Sequence, residues 1–444
     1  MIYNTICNIA KEINNLLWGD FTVFIIFAAG IFLTVRLHFI QFRIPGKILR
    51  YTLLASKKDN NDSSKGISRL QALSTALGAS MGTGNIIGVA AAISVGGCGA
   101  VFWMVVSSFI VMAFAFTENV LGVKYCLLNN NNHSVGPMSY IRSALFSDKA
   151  AKVYAAACLL ASFGIGNSVQ ANAASNSLDN IGVSTPVTGI MLMLIIGYII
   201  FKGSKYVARI CERSVPIFSA AYIIFAIVIL VLYRSNIIFI LINIVKSAFG
   251  LNAVTGGISG TIINQSLTIG LRRGMFSNEA GMGSSVFAHT SSECKEPAVM
   301  GMWAILEVFI DTVLCCTLTA FVILRTGADI QNADGADIVI NAFENSAGKF
   351  GGIFVIISTV VFAFAAIIGW YFYGEKCVLY LFPNNKTALK LYRLLYSATV
   401  FFGSVLKLDL LWELSDTLNA LMLFPNLAAI LLLSKEAAEY AKNS

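Results

Sequence analysis

The sequence predicts an all-α polytopic membrane protein: a 5+5 inverted repeat with one extra N-terminal helix, about 11 transmembrane helices in all. Three observations predict it. The 444 residues are 57% hydrophobic and only 12% charged, with a mean hydropathy of +0.75. About a quarter of a soluble domain is charged, so a soluble fold this apolar would lack a polar coat. Lys and Arg recur in every second loop. Two spans at matching positions are interrupted by glycine and polar residues. The composition excludes a secreted mini-protein, a disordered regulator and an ordinary cytosolic enzyme.

The first apolar run, Leu17 to Val35, lacks a basic n-region and an A-x-A-like cleavage site. It reads as a retained span rather than a signal peptide. With the loop that follows, it forms an N-terminal unit over 1–67. Five runs near 68–95, 99–127, 152–177, 184–201 and 207–233 make a first repeat over 68–235. The stretch 236–250, with Asn243 and Lys246, is apolar but short, and reads as an interfacial helix within an extracellular connection over 236–256. Five more runs near 257–290, 297–324, 350–375, 389–405 and 410–434 make a second repeat over 257–434, followed by a cytoplasmic tail over 435–444.

Loop charges support that count. Arg36, Arg43, Lys47, Arg50, Lys57, Lys58 and Lys65 follow the first span, against Asp59 and Asp62. Arg142, Lys149 and Lys152 follow the third; Lys202, Lys205, Arg209 and Arg213 the fifth; Lys376, Lys386 and Lys390 the ninth. The loops between are poor in base or acidic, with Asp179 in one and Asp329, Asp334, Asp337 and Glu344 in another. Basic loops face the cytoplasm, so the N-terminus is expected outside, the C-terminus inside, and the chain in the plasma membrane. The net charge of +8 is explained the same way and does not call for nucleic acid. The nine cysteines form no CxxC pair, and His38, His133 and His289 are scattered, so no zinc site is expected.

The second span reads GASMGTGNIIGVAAAISVGG from Gly78; the seventh reads GLRRGMFSNEAGMGSS from Gly270. Unwound backbone at membrane depth survives only where protein buries it or water lines it. The two broken spans lie five helices apart, an odd separation, so they run in opposite directions, as in inverted-repeat transporters that bind between two broken helices. The alternative is that these glycines only let helices pack closely.

At these residues the chain resembles the alanine or glycine:cation symporter family, which includes sodium:alanine symporters and amino acid carrier proteins. The matching strings are GTGNIIGVAAAISVGGCGAVFWM (82–104), GIGNSVQANAASNS (164–177), RGMFSNEAGMGS (273–284), EVFIDTVLCCTLTAFVIL (307–324), IIGWYFYGEKC (367–377) and SDTLNALMLFPNL (415–427). The resemblance implies a leucine-transporter-like fold and secondary transport of small amino acids, usually with sodium.

An amino acid zwitterion needs donors for its carboxylate, acceptors for its ammonium and a pocket fitted to its side chain. Free N–H groups at a half-helix N-terminus suit a carboxylate. Thr83, Gly84 and Asn85 are therefore expected in the substrate cradle, and Phe276, Ser277 and Asn278 at the second break. The resemblance adds Gln170, whose alternative is an interhelical hydrogen bond. It also adds Trp370, which would limit side-chain size; the alternative is an interface anchor or ordinary packing. Phe276 is a similar lid. Glu279 is expected to pair with Arg273 or Arg272 as a cytoplasmic gate. Glu307 and Asp311, four residues apart, share a helix face and could relay a proton, although pairing with basic or amide groups is the favoured role. Glu118, near the cytoplasmic end of its span, reads as solvated.

The chain departs from the family at Ala365 and Ala366, where a Ser/Thr pair usually helps hold sodium. A hard cation wants several oxygens, and methyl groups offer none. Ser358 and Thr359 lie seven residues back, about 10 Å along the helix. What remains for the ion is the backbone near Ala79, Ser80 and Gly82, with the Ser80 hydroxyl. The coupling ion is thus expected to be sodium held more weakly, or a proton carried by a buried acid. The expected function is symport of alanine or glycine with that cation, across the bilayer, without a cofactor or an enzymatic step. A transport-dead amino acid sensor is the alternative. A channel is disfavoured because no selectivity-filter motif repeats.

Overall fold

The computed structural model describes residues 12–14, 17–43, 46, 66–128, 135–250, 258–294, 296–327, 335–406 and 408–443. Most of the basic loop after the first span, together with Asp329, Asp334 and His133, lies outside the described residues.

Helix α1 spans Asp20–Arg36. Helix α2, Arg69–Ser80, starts at a capping box in which Ser68 and Gln71 satisfy each other's backbone N–H groups. It stops at the first glycine break, continues as one 3₁₀ turn at Thr83–Asn85, and resumes as α3, Ile87–Gly96. Then come α4 (Gly99–Leu128), the short amphipathic α5 (Met138–Leu145), α6 (Asp148–Phe163) and α7 (Val169–Asp179). A π-helical turn at Gly164–Ser168 joins α6 to α7. Helices α8 (Thr185–Phe201), α9 (Ser204–Leu232) and α10 (Ile237–Ala248) close the first half.

The second half opens with α11, Ile258–Asn278, broken from the five-residue α12, Val286–Thr290. Helix α13 (Pro297–Val308) passes through a π segment at Phe309–Cys316 into α14 (Thr317–Thr326). Helix α15, Gly335–Leu381, is two helices meeting at Ala347 and Gly348, where Gly348 takes a φ of +66°. Helices α16 (Lys386–Val405), α17 (Leu408–Leu432) and α18 (Ser434–Asn443) complete the chain.

Within the described residues, every apolar run expected from the sequence is helical. Six of these helices are long and apolar enough to cross a membrane, beside shorter apolar ones. Their outer faces carry Phe21, Leu194, Ile224, Ile238 and Phe402, all more than half exposed. In water such a surface would be unfavourable; hydrocarbon suits it. Helix α10 has apolar residues exposed on one side, with Ser247 Oγ accepting from the Gly99 N–H and Ala248 O from Trp103 Nε1 on the other. Three elements have no counterpart in the hydropathy pattern: α5, the first part of α15, and a helix in place of a plain tail. That last helix is held by Lys124 Nζ, 2.7 Å from Glu436 Oε2.

The two broken spans cross in opposite directions. The residue before α2 meets the chain after α12, where the Ile67 N–H donates to Ser291 O and the Glu293 N–H to Ile67 O. At the other end, Gln265 and Ser266 of α11 donate to Val95 O and Gly96 O at the end of α3. The start of α2 and the end of α12 therefore share the side of the basic loop, and α3 and α11 the opposite side.

Candidate functional site

At the first break Gly82 is required by a close approach. A Cβ there would lie 2.7 Å from Gln170 Oε1. That oxygen accepts from the Thr83 N–H at 2.9 Å and from Thr83 Oγ1 at 3.0 Å. Gln170 Nε2 donates to Ile165 O in the π turn. So Gln170 makes an interhelical bond, and it also lines the central cavity. Gly84 faces the second break: a Cβ built on it would sit 3.9 Å from the Ser277 Cα, with nothing nearer.

The second break turns on Glu279, Gly281 and Gly283, at φ of +53°, +90° and +75°. Glu279 is the non-glycine of the three, and a left-handed residue of its kind is uncommon and strained. The unwound carbonyls are satisfied by buried side chains. Tyr154 Oη donates to Met282 O at 2.6 Å, and Asn426 Nδ2 to Gly281 O at 2.7 Å. Asn426 also donates to Glu118 and accepts from Tyr140. Glu118 is 1% exposed, so the expectation of a solvated carboxylate is corrected: its position near a helix end is covered by α17.

The gate is corrected too. Glu279 turns to neutral donors instead of to Arg272 or Arg273. Its Oε1 accepts from Trp370 Nε1 at 2.8 Å and its Oε2 from Ser284 Oγ at 2.7 Å. The arginines precede the break on α11, away from the basic loop rather than toward it. There Arg272 lies 3.9 Å from Asp416, and Arg273 sits in the field of the same acid. More than one helical turn of α11 separates them from Glu279, which belongs to the break itself.

Trp370 is fully buried, which rules out an interface anchor. Its ring covers Gly166, where a Cβ would come within 2.2 Å of it. It is not in the cavity wall and reaches the site through Glu279. The cavity is lined by Ala79, Ser80, Gly84, Gln170, Phe276 and Ser277, with Gly88, Ile165, Arg273 and Glu279. Its volume is about 30 Å³, enough for a water or two and too small for an amino acid. The site is closed.

Oxygens gather just behind Ser277. Asp311 is fully buried. Its Oδ1 accepts from Asn85 Nδ2 at 2.8 Å; its Oδ2 accepts from Ser277 Oγ at 3.0 Å and Thr312 Oγ1 at 2.8 Å. Asn278 Nδ2 donates to Thr312 Oγ1, and Asn278 Oδ1 accepts from the Ala280 N–H. Asn85 Oδ1 is buried with no hydrogen-bond partner. Asp311 thus ties both breaks together. Its separation from Glu307 has a physical cause: the π segment begins at Phe309, and its wider turn sends the two acids to different partners.

At the place expected for the ion, the contact is apolar. Ala365 and Ala366 are buried on α15, and a Cβ on Gly369 would lie 2.9 Å from both the N and Cβ of Ala79. The Ser80 hydroxyl is turned back to Leu77 O at 3.4 Å. The oxygens suited to a hard cation are instead those of Asn85, Ser277, Asp311 and Thr312. The sequence reading divides Asn85, Ser277 and Asp311 between substrate binding and proton relay and does not single out Thr312.

One contact was unforeseen. Trp18, ahead of α1, packs on Phe276 with ring centroids 4.7 Å apart, and its Nε1 donates to Asp416 O at 2.9 Å. Thr417 Oγ1 donates to Asn14 Oδ1 beside it. The segment before α1 covers Phe276 from the side away from the basic loop. A tryptophan at the start of an apolar run gives no signal of that.

Two broken spans crossing head to tail around a small central cavity define a secondary transporter of the leucine-transporter type. The solved structure titled "Crystal structure of MhsT in complex with L-phenylalanine" has this fold: TM-score 0.56 over 84% of this chain and 90% of that one, at 14% identity. Residues 3–443 match the sodium:alanine symporter family, and the chain belongs to it. The sodium/alanine symporter AgcS of Methanococcus maripaludis is 36% identical over 96% of this chain and 94% of its own length. The amino-acid carrier protein AlsT of Bacillus subtilis is 34% identical over 99% and 92%. The chain is a membrane transporter coupling amino acid movement to a cation.

Proposed function

We propose that this protein imports a small neutral amino acid, alanine or glycine, together with sodium, by alternating access about the central cavity. The observation that carries the reading is the meeting of Gly84 and Ser277 across the two breaks, with the Asp311 carboxylate directly behind. Glycines and alanines at 79, 84 and 88 leave room for a methyl-sized side chain once the cavity opens. The N-terminal end of α3 and the Thr83–Asn85 turn receive the carboxylate; Gln170 and the carbonyls near Phe276 and Ser277 receive the ammonium. Asp311, Asn85 Oδ1 and the hydroxyls of Ser277 and Thr312 supply oxygens to sodium, taking the part that Ala365 and Ala366 cannot.

The N-terminus is placed outside and the C-terminus in the cytoplasm of a plasma-membrane protein. The repeats are placed at 68–235 and 257–434, between the 1–67 unit, the 236–256 connection and the 435–444 tail. Labelled-alanine uptake into proteoliposomes tests the reading, with an imposed sodium gradient in one arm and a proton gradient in the other. Accumulation in the sodium arm is expected. Binding without accumulation in either arm would replace the symporter with a sensor. Accumulation in the proton arm alone would move the coupling from sodium to a proton, a reading favoured by the apolar contact at Ala365 and Ala366.

A further inference from the structure

Glu118, Glu279, Glu307 and His289 are at most 6% exposed, and the sodium step uses none of them. Buried acids inside membrane spans mark ion or proton routes more often than structure. Glu118 and Glu279 are supplied with neutral donors, from Asn426, Trp370 and Ser284. Glu307 differs. Its side-chain partner is His289, with Nε2 3.1 Å from Oε2, and both groups are sealed from solvent. His289 Nδ1 is buried with no hydrogen-bond partner.

Among the described residues, the elements around the pair bring acids and a phenol toward it. Glu118 on α4, Glu279 at the break, Asp311 in the π segment after α13 and Tyr373 on α15 are the titratable groups acting with Glu307. Helix α2 packs on α12 and carries Arg69 at its first position. Helix α18 packs on α13 and carries Lys435, Glu436, Glu439 and Lys442, with Glu436 paired to Lys124 of α4.

We infer that His289 and Glu307 together form a proton-binding site, separate from the sodium locus at Asp311; the inference rests on the symporter reading. A neutral imidazole beside a carboxylate carries one negative charge. With Nε2–H donating to Oε2 in that state, an added proton enters at the unpartnered Nδ1 while the Nε2 proton passes to Oε2, leaving a neutral imidazole and a carboxylic acid; release reverses both transfers. His289 rides on α12, the short half-span bound through Ser291 and Glu293 to Ile67, whereas Glu307 is on α13, packed along α4. Opening the route on the basic-loop side moves α12 and lengthens the contact. A charge left alone there is costly, so opening favours one protonation state, and by linkage the proton favours one conformation.

The test is infrared difference spectroscopy of the purified protein across about pH 5 to 9, the range in which a histidine-linked group titrates, with Glu307→Gln and His289→Gln. A carboxylic-acid band that titrates in the wild type is expected to vanish in Glu307→Gln and to shift in His289→Gln. A titrating band unchanged in both variants, or none at all, overturns the proposal. This readout needs no substrate, so it is independent of whether alanine is carried. In vesicles holding a pH dye, alanine-driven proton movement in the wild type should fall to the protein-free level in Glu307→Gln while sodium-driven alanine uptake persists. Equal proton movement in wild type and Glu307→Gln would also overturn it.

Discussion

Asp311 offers one carboxylate to groups from both broken spans, so a single substitution separates its roles. Asp311→Asn keeps the shape but removes the charge and turns one of the two accepting oxygens into a donor, to which the Ser277 and Thr312 hydroxyls can rotate to accept. Hydrogen bonds to a charged group are worth about 1.5–3 kcal/mol, so apparent sodium affinity is expected to fall about tenfold or more, with folding retained. Sodium titration of alanine binding measures it, and an unchanged midpoint would move the ion elsewhere. Trp18→Ala removes an aromatic contact worth about 0.5–1.5 kcal/mol and a hydrogen bond to Asp416 O. The expected result is roughly tenfold faster escape of bound alanine, read by stopped-flow dilution. Restoring hydroxyls at Ala365 and Ala366 should sharpen sodium dependence, and uptake with an unaltered sodium response would count against that.

Glycine positions divide by what surrounds them within and between the helices. A Cβ on Gly84 meets nothing closer than 3.9 Å, whereas one on Gly369 comes within 2.9 Å of α2. Gly84→Ala should therefore fold normally and lose alanine binding, because its methyl group enters the cavity. Gly369→Ala should lower thermal stability, since overpacking costs typically 1–3 kcal/mol. Melting temperature and alanine affinity, measured on both, should change in opposite patterns. At this scale the sequence is most readable. Hydropathy locates the spans, and the GTGN and FSNEAG stretches locate the breaks, because glycines and polar residues sit together at membrane depth only where the backbone is unwound and sheltered. The π turns are not legible: GIGNS at Gly164–Ser168 and FIDTVLCC at Phe309–Cys316 carry glycine or polar residues, but nothing in their spacing separates a π turn from a continuous α-helix, yet the second decides where Asp311 points. The expected Glu279 pairing fails for a related reason. Residue spacing places an acid near two bases, but the left-handed turn at Glu279 directs its carboxylate to Trp370 and Ser284.

For the molecule as a whole, the loop charges set an orientation that thiol labelling can check. Asn384→Cys, in the basic ninth loop, should be protected from an impermeant reagent in intact cells, and Asn180→Cys should react. The reverse pattern would invert the topology and with it the side that Trp18 covers. That cover is hidden from sequence because it joins residues about 400 positions apart, Trp18 to Asp416, and no local pattern encodes such a meeting.

On the proposed reading sodium binds at Asp311, beside the breaks of both interrupted spans, so a cation arriving from outside would traverse about half the bilayer before it binds. Membrane voltage then becomes part of the binding equilibrium. At ~2.3 kcal/mol per charge per 100 mV over the full thickness, half the drop is worth ~1.1 kcal/mol, or about sevenfold in apparent affinity. Polarising the membrane, inside negative, should load the carrier at lower external sodium with no change in any contact, and the shift in half-saturation with imposed potential would measure how deep the carboxylate sits.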